Sequence, residues 1–326
     1  MKDCDLWVRR RAALGAALAA STGRCGPSTA TTSALALPLA PRLKMSSLTP
    51  MMGLVDSQAG PLRYPPWLLG TWQVRNTISR FSMPLGPAFI DPFVLATAKE
   101  DVAAAETLSY LMRFVEAATT LDDSAALPAV QDRSFNAREE TNAFLGADGG
   151  RVTGCRYSTD ARSPHGRLLL NVVEPSGDGR GGLDPTATTI DLNIEWAQWD
   201  AAASEGAFVT SEILRQRVTR PAVGPWDPAQ DQTEVLEVIT RFLPPSPTVP
   251  AMPSAPAKQP GLVRVRNRIA QYPLVFSGSS ASERQLSALA GGRAISIFDY
   301  DWTMERVGGT ATREGGWSDL ASPRRV

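Results

Sequence analysis

The chain has 326 residues, 43% of them apolar, which suffices for the core of one large β domain or two small ones. Lys and Arg balance Asp and Glu at 33 each, and this removes the electrostatic case for nucleic acid, which asks for a basic excess or stripe. No stretch approaches the roughly 20 consecutive apolar residues that span a bilayer, so no transmembrane segment is expected in the mature protein.

In chain order, the first fifty residues are expected to stand apart from the fold, as a targeting leader and a disordered N-terminus over 1–50. Arg9, Arg10 and Arg11 precede a mild apolar run over 12–20, the order of basic, apolar and small residues that marks a secretory-type leader. Arginines before an Ala-rich run point to the twin-arginine route, and Ala34-Leu35-Ala36 supplies a cleavage site of A-x-A type. Its use leaves a mildly acidic product. The competing reading is a disordered tail whose arginines are accidental.

Beyond the leader the pattern is strand, turn, strand, with Gly and Pro, 26 of each, as punctuation. Strands are expected over 67–79, 108–115, 130–138, 151–158, 167–173, 188–196, 208–218, 233–243, 262–272 and 294–307. Between the first two, 81–93 is an apolar loop broken by Pro84, Pro87 and Pro92. A short helix is expected over 137–145, ending at Gly146, and a helical turn over 283–289. Alternation puts Ile190, Leu192, Ile194 and Trp196 on one face, and sets Val263, Val265 and Ile269 against Arg264, Arg266 and Arg268. The Gly- and Asp-rich loop 175–185 and the loop 244–260, with seven prolines, read as solvated connections.

Many strands without long intervening helices favour an all-β fold. The expectation is a single antiparallel up-and-down β-barrel of about 8–10 strands, with a short helix and a Pro-rich loop insertion. Closure would remove exposed edges. The barrel domain is expected over 64–307 and a disordered C-terminal tail over 308–326.

Cysteine and histidine narrow the chemistry. Cys4 and Cys25 fall in the leader, so Cys155 stands alone in the mature chain and neither a disulfide framework nor a Cys-rich metal site forms within one subunit. His165, the single histidine, sits in Ser163-Pro164-His165-Gly166 and reads as an exposed turn residue rather than a catalytic base. No metal site, no cofactor and no catalytic residue is expected; a nucleophile elbow and a Gly-rich phosphate loop are both missing.

Three segments carry a resemblance. Pro65-Pro66-Trp67-Leu68-Leu69-Gly70-Thr71-Trp72-Gln73-Val74 places a Gly-x-Trp on the first strand after a proline turn, as lipocalin-like (calycin) barrels begin. With Asp132-Arg133-Ser134-Phe135-Asn136, then Arg138 and Glu139, and with Ser211-Glu212-Ile213-Leu214-Arg215-Gln216, it resembles an uncharacterised thylakoid-lumen family of plants, algae and cyanobacteria. The resemblance covers 64–307. It implies a β-barrel in the chloroplast thylakoid lumen, or the cyanobacterial lumen or periplasm, and it implies no activity, because the family carries a domain of unknown function.

Trp72 is expected to point inward and plug one end of the barrel, and the lipocalin-like likeness implies an arginine across its ring, for which Arg306 is placed. Arg133, Arg138 and Arg215 belong to a charged cluster with Asp132, Glu139, Glu212 and Gln216. One reading of the cluster is a solvated outer face laced with ion pairs. The other is a polar lining in which Trp72, Arg133, Arg138, Arg215 and Arg306 hold a small amphiphilic ligand, lipid- or pigment-like, by an anionic head group.

The expected function is therefore non-enzymatic binding of a small amphiphile, and the alternative is an interaction or assembly factor for a photosynthetic membrane complex. In the second case the loop 81–93 docks a lumenal protein partner. Ligand binding predicts a cavity under that loop, and assembly a filled barrel with an exposed patch. Catalysis predicts a cleft holding a carboxylate of strongly shifted pKa.

Overall fold

The computed structural model describes residues 38–51, 57, 60–117, 127–146, 150–160, 163–173, 187–201, 206–222, 230–245, 261–273 and 281–307. The expected leader over 1–36, the loop 175–185, most of 244–260 and the tail 308–326 lie outside the described residues.

Ten antiparallel strands form one curled sheet: β1 (Gly70–Ser82), β2 (Thr107–Glu116), β3 (Ala129–Gln131), β4 (Arg151–Asp160), β5 (Ser163–Val173), β6 (Ala187–Asp200), β7 (Phe208–Arg220), β8 (Gln230–Leu243), β9 (Val263–Tyr272) and β10 (Ser296–Arg306). Among the described residues three α-helices accompany them, α1 (Pro92–Ala104), α2 (Arg133–Leu145) and α3 (Ala281–Ala290). The order β3-β2-β1-β10-β9-β8-β7-β6-β5-β4 brings the last strand beside the first, with Trp72 opposite Arg306 and Asn76 opposite Trp302. This is the all-β, barrel-like fold expected from the sequence. The remaining seam lies between β3 and β4, which end the strand order, and α2 spans it by packing on both β2 and β4.

The period-two pattern explains the core. On β1, Trp72, Val74, Asn76 and Ile78 are buried, and on β10 the same phase buries Phe298, Tyr300, Trp302 and Met304. Aromatic rings fill the end of the barrel where β1 begins: Tyr64 stands 5.2 Å from Phe114, 5.5 Å from Phe208 and 5.9 Å from Phe242, ring centre to ring centre. The opposite end, where β1 finishes and β2 and β10 start, mixes the aromatic rings of Phe298 and Tyr300 with the polar side chain of Asn76.

Several elements depart from the sequence expectation, each for a local reason. The expected strand over 130–138 is only the short β3, because Asp132 accepts a hydrogen bond from the Phe135 N–H at 3.1 Å and starts α2 four residues ahead of the expected 137. The loop 81–93 runs into α1, a helix that the prolines concealed: Asp91 accepts from the Phe93 and Val94 N–H groups, with Pro92 at the first helical position. In β6 a register shift between Ile194 and Trp196 reverses the phase, so Trp196 leaves the face of Ile190, Leu192 and Ile194 and packs outside the barrel.

Residues 38–51 also belong to the fold, which corrects the expected boundary at 50. They form a strap whose Leu39, Leu48 and Met51 cover an outer apolar patch of Trp196, Val209, Ile213, Ile239, Tyr272 and Ile297. The strap is pinned by Arg42, which donates to both Glu237 carboxylate oxygens at 2.7 Å, while Ser211 and Tyr272 hydroxyls donate to the same carboxylate. Arg268 clasps it from the other side, donating to the Arg42 and Met45 carbonyls and to Asp299.

Candidate functional site

The five residues singled out from the sequence do not meet. Trp72 and Arg306 do pair at the closed end: the guanidinium lies 4.6 Å from the indole centre and donates to the Leu69 and Trp67 carbonyls, while the indole N–H donates to the Leu68 carbonyl at 2.7 Å. Arg133 points inside the barrel from the first turn of α2 and donates to Glu212 at 2.7 Å, with both side chains about 1% exposed. Arg138 lies on the outer side of α2 beside Glu139. Arg215 is on the outer face of β7, paired with Glu195. Both are partly solvated. No shared anion grip results, and the outer charges form the ion-pair lacing of the alternative reading, as Arg167–Asp191 and Arg217–Asp231 also show.

His165 is not an exposed turn residue. It lies in β5, is 7% exposed, and is held by Ser57 Oγ 3.0 Å from Nε2 and the Gly60 carbonyl 3.0 Å from Nδ1. Ser57 is itself bonded to the Ala197 backbone through both N–H and C=O, so the group fastens one segment to another. Cys155 is half-buried and its thiol is pushed up to about 11 by burial, so it stays protonated and unreactive at neutral pH.

The chemistry that the sequence did not assemble lies at the other end. There a recess of about 50 Å³ opens beneath α1. Its apolar wall is Ile78, Leu108 and Phe144; Asn76 and Tyr300 supply polar atoms, and Asp101 and Glu106 are placed toward solvent. Next to Asn76 are Tyr110 and Glu140, both buried. Tyr110 lies near enough to feel Asn76 and Glu140, yet no contact among the three reaches hydrogen-bond geometry. Tyr110 Oη, both Glu140 carboxyl oxygens, and both polar atoms of the Asn76 amide are therefore buried without a partner. Each such atom costs about 1–3 kcal/mol.

Burial fixes the charge state here. Glu140 is raised well above the usual carboxylate range by desolvation, opposed only by Tyr110. Tyr110 and Tyr300 are both raised by burial and by neighbouring carboxyls. Tyr110 and Tyr300 stay protonated at pH 7, and Glu140 is shifted toward its neutral form.

Asn76, Tyr110 and Glu140 come from β1, β2 and α2. Two carried a signal, since Asn76 and Tyr110 occupy the inward phase of their strands, and a polar residue at a core phase marks a site or a strain. Glu140 carried none. The buried face of α2 is Arg133, Asn136, Ala137, Glu140, Thr141 and Phe144, spaced three and four apart but mostly polar, so no apolar stripe announces it.

Fold and site together define an all-β, barrel-like protein plugged at one end by aromatic rings and carrying a recess with polar lining at the other. Among the described residues no helix is long and apolar enough to cross a membrane. Residues 58–172 match the family model of a domain of unknown function, DUF6816. The matched part includes β1, β2, α2 and hence Asn76, Tyr110 and Glu140. No curated protein and no solved structure matches the chain.

Proposed function

We propose that this barrel is a non-enzymatic binding protein for a small amphiphilic molecule, acting in the thylakoid lumen of a chloroplast or in the lumen or periplasm of a cyanobacterium. The observation that carries the reading is the set of five unpartnered polar atoms on Asn76, Tyr110 and Glu140 beside a recess walled by Ile78, Leu108 and Phe144. Polar groups are kept in a core where something satisfies them. At about 50 Å³ the recess admits a head group, whereas a site that swallows a whole ligand runs to about 300 Å³ or more. The apolar body of the ligand then lies across the mouth, against α1.

Catalysis fits less well. A strongly shifted carboxyl is present, but Tyr110 and Tyr300 are held as phenols and burial shifts Glu140 toward its protonated form, which favours hydrogen bonding over an ionised base or nucleophile. The lumenal placement rests on the twin-arginine-type leader and on the thylakoid-lumen likeness.

The test is mass spectrometry of small molecules extracted from natively purified protein, beside an Ile78→Trp variant that fills the recess. A molecule with a polar end, recovered near stoichiometry from the native protein and lost from the variant, is the expected result. Recovery of no small molecule from either overturns the proposal, and steady recovery of a photosynthetic complex instead favours the assembly role.

A further inference from the structure

The imidazole of His165 lies where β5 and β6 part. Their pairing stops at Arg167 and Asn193, and further along β6 the Ala197 backbone turns to Ser57 instead: its N–H donates to Ser57 Oγ at 2.9 Å, and Oγ stands 3.1 Å from its carbonyl. His165 has the outward phase of β5, shared with Arg167 and Asn171, which are exposed. It is buried because Ser57 and Gly60 lie against its ring.

Counting hydrogens shows in which protonation state this group is complete. Ser57 has one hydroxyl hydrogen and two lone pairs. One lone pair takes the Ala197 N–H, and the hydrogen serves either the Ala197 carbonyl or His165 Nε2, never both. Nδ1 faces the Gly60 carbonyl at 3.0 Å and bonds it only by carrying a hydrogen of its own. Neutral imidazole has a single N–H. With that hydrogen on Nδ1, the serine hydrogen goes to Nε2 and the Ala197 carbonyl loses its bond from Ser57. With it on Nε2, the Nδ1 lone pair confronts the Gly60 oxygen. The imidazolium alone makes every contact: Nδ1–H to Gly60, Nε2–H to Ser57, Ser57 to the Ala197 carbonyl, and the Ala197 N–H to Ser57.

The charged groups around it are engaged with one another. On the outer face Arg167 pairs with Asp191, and Glu195 with Arg215. Tyr157 of β4, opposite the inward Leu168, has Arg133 of α2 at 5.6 Å over its ring and reaches His165 only by donating to the backbone carbonyl. Arg63 follows Gly60 on the incoming segment. The polar partners of the ring itself are Ser57 and Gly60.

We infer that His165 is an acid-locked clasp: uptake of a proton by its imidazole fastens Ser57 and Gly60, and with them the join between the strap and β1, onto β5 and β6. The sign follows from the count. The clasped form places both N–H groups of the imidazolium on acceptors, whereas the opened form gives the ring to water in either state. The clasp is therefore complete in acid and is lost as pH rises through the range in which imidazole gives up its second proton. Desolvation opposes the cation; the Gly60 carbonyl directly, and the Ala197 carbonyl through the hydroxyl, favour it. The strap keeps its own pin at Arg42, so opening frees the join and not the strap.

The experiment uses tag-free, full-length protein labelled with 15N-histidine, in which His165, the single histidine, gives the only imidazole signals. Hydrogen exchange at the Ala197 amide, corrected for its intrinsic rate, is followed over the same range. Between about pH 8 and 5 both ring nitrogens are expected to become protonated. Protection at Ala197 is expected to rise about ten-fold with them, the worth of one added hydrogen bond. His165→Gln is expected to remove the pH dependence of that protection. Ser57→Ala, which leaves the histidine in place, should let the ring titrate with no response at Ala197. The clasp is overturned if the imidazole keeps a single proton throughout, or if protection at Ala197 follows pH as strongly in either variant as in the native chain.

Discussion

Gly166 shows how a single residue holds this barrel together. Its φ of +117° is a conformation that L side chains rarely adopt, and a Cβ there would fall 2.0 Å from the Tyr157 hydroxyl and 2.4 Å from the ring. The ring lies flat on the glycine, and the hydroxyl donates to the His165 carbonyl at 3.1 Å. Gly166→Ala is expected to cost roughly 2–4 kcal/mol in urea unfolding. Tyr157→Ala in the same chain should recover part of that loss; no recovery would place the whole cost in the backbone. Gly70, with φ of +119°, is a milder case, because the atom its Cβ would meet is the movable Arg306 guanidinium at 2.9 Å. The Trp72–Arg306 contact was legible in advance because the lipocalin-like likeness implied an arginine from the last strand across the Trp72 ring, and β1 and β10 do bring the two residues opposite one another.

Among the elements, α2 carries most of what is unusual. It closes the seam between β2 and β4 and turns a polar face inward, so it replaces a strand with a row of functional groups. Glu212, which receives Arg133 from this helix, is raised to about 7 by burial, with Arg133 opposing the shift. Because the folded value exceeds the usual 4.5, the folded state holds the proton longer than the unfolded chain does. Its contribution to stability is fully present below pH 4.5 and is lost as pH rises through about 7. Thermal unfolding followed from pH 4.5 to 8 should show this decline, and Glu212→Gln should flatten it; an unchanged profile would mean the pair does not titrate with folding.

The strands were legible because β-alternation is local, and nine of the ten expected strands fall on observed ones. Two features escaped for a physical reason. A one-residue bulge at Glu195 reverses every later side chain in β6, and nothing in Glu195-Trp196-Ala197 marks it. A helix whose buried face is polar has no amphipathic stripe to read. The Asn76, Tyr110 and Glu140 set escaped for a third reason, since it exists only once three elements distant in sequence have met.

At the scale of the whole molecule, the strap over 38–51 sets how the barrel's outer wall is finished. Its apolar side chains turn the patch around Trp196 and Ile213 from exposed surface into a second core, separate from the barrel interior. Breaking a buried ion pair by deleting one partner typically costs about 3–5 kcal/mol. Arg42→Ala should therefore lower stability by about that much, while Arg42→Ala combined with Glu237→Gln should lower it by less. Equal losses in the single and double variants would show that the strap is held by apolar packing alone.

The strap also constrains where the leader proposed from the sequence could be removed. A cut at Ala34-Leu35-Ala36 falls just ahead of Leu39 and leaves Arg42 in place, whereas a protease acting a few residues later would strip the wall of its lining and strand the Glu237 carboxylate. If the proposed leader is cleaved at that stretch, the margin before Leu39 is only a handful of residues, because β8 holds Arg42 through Glu237.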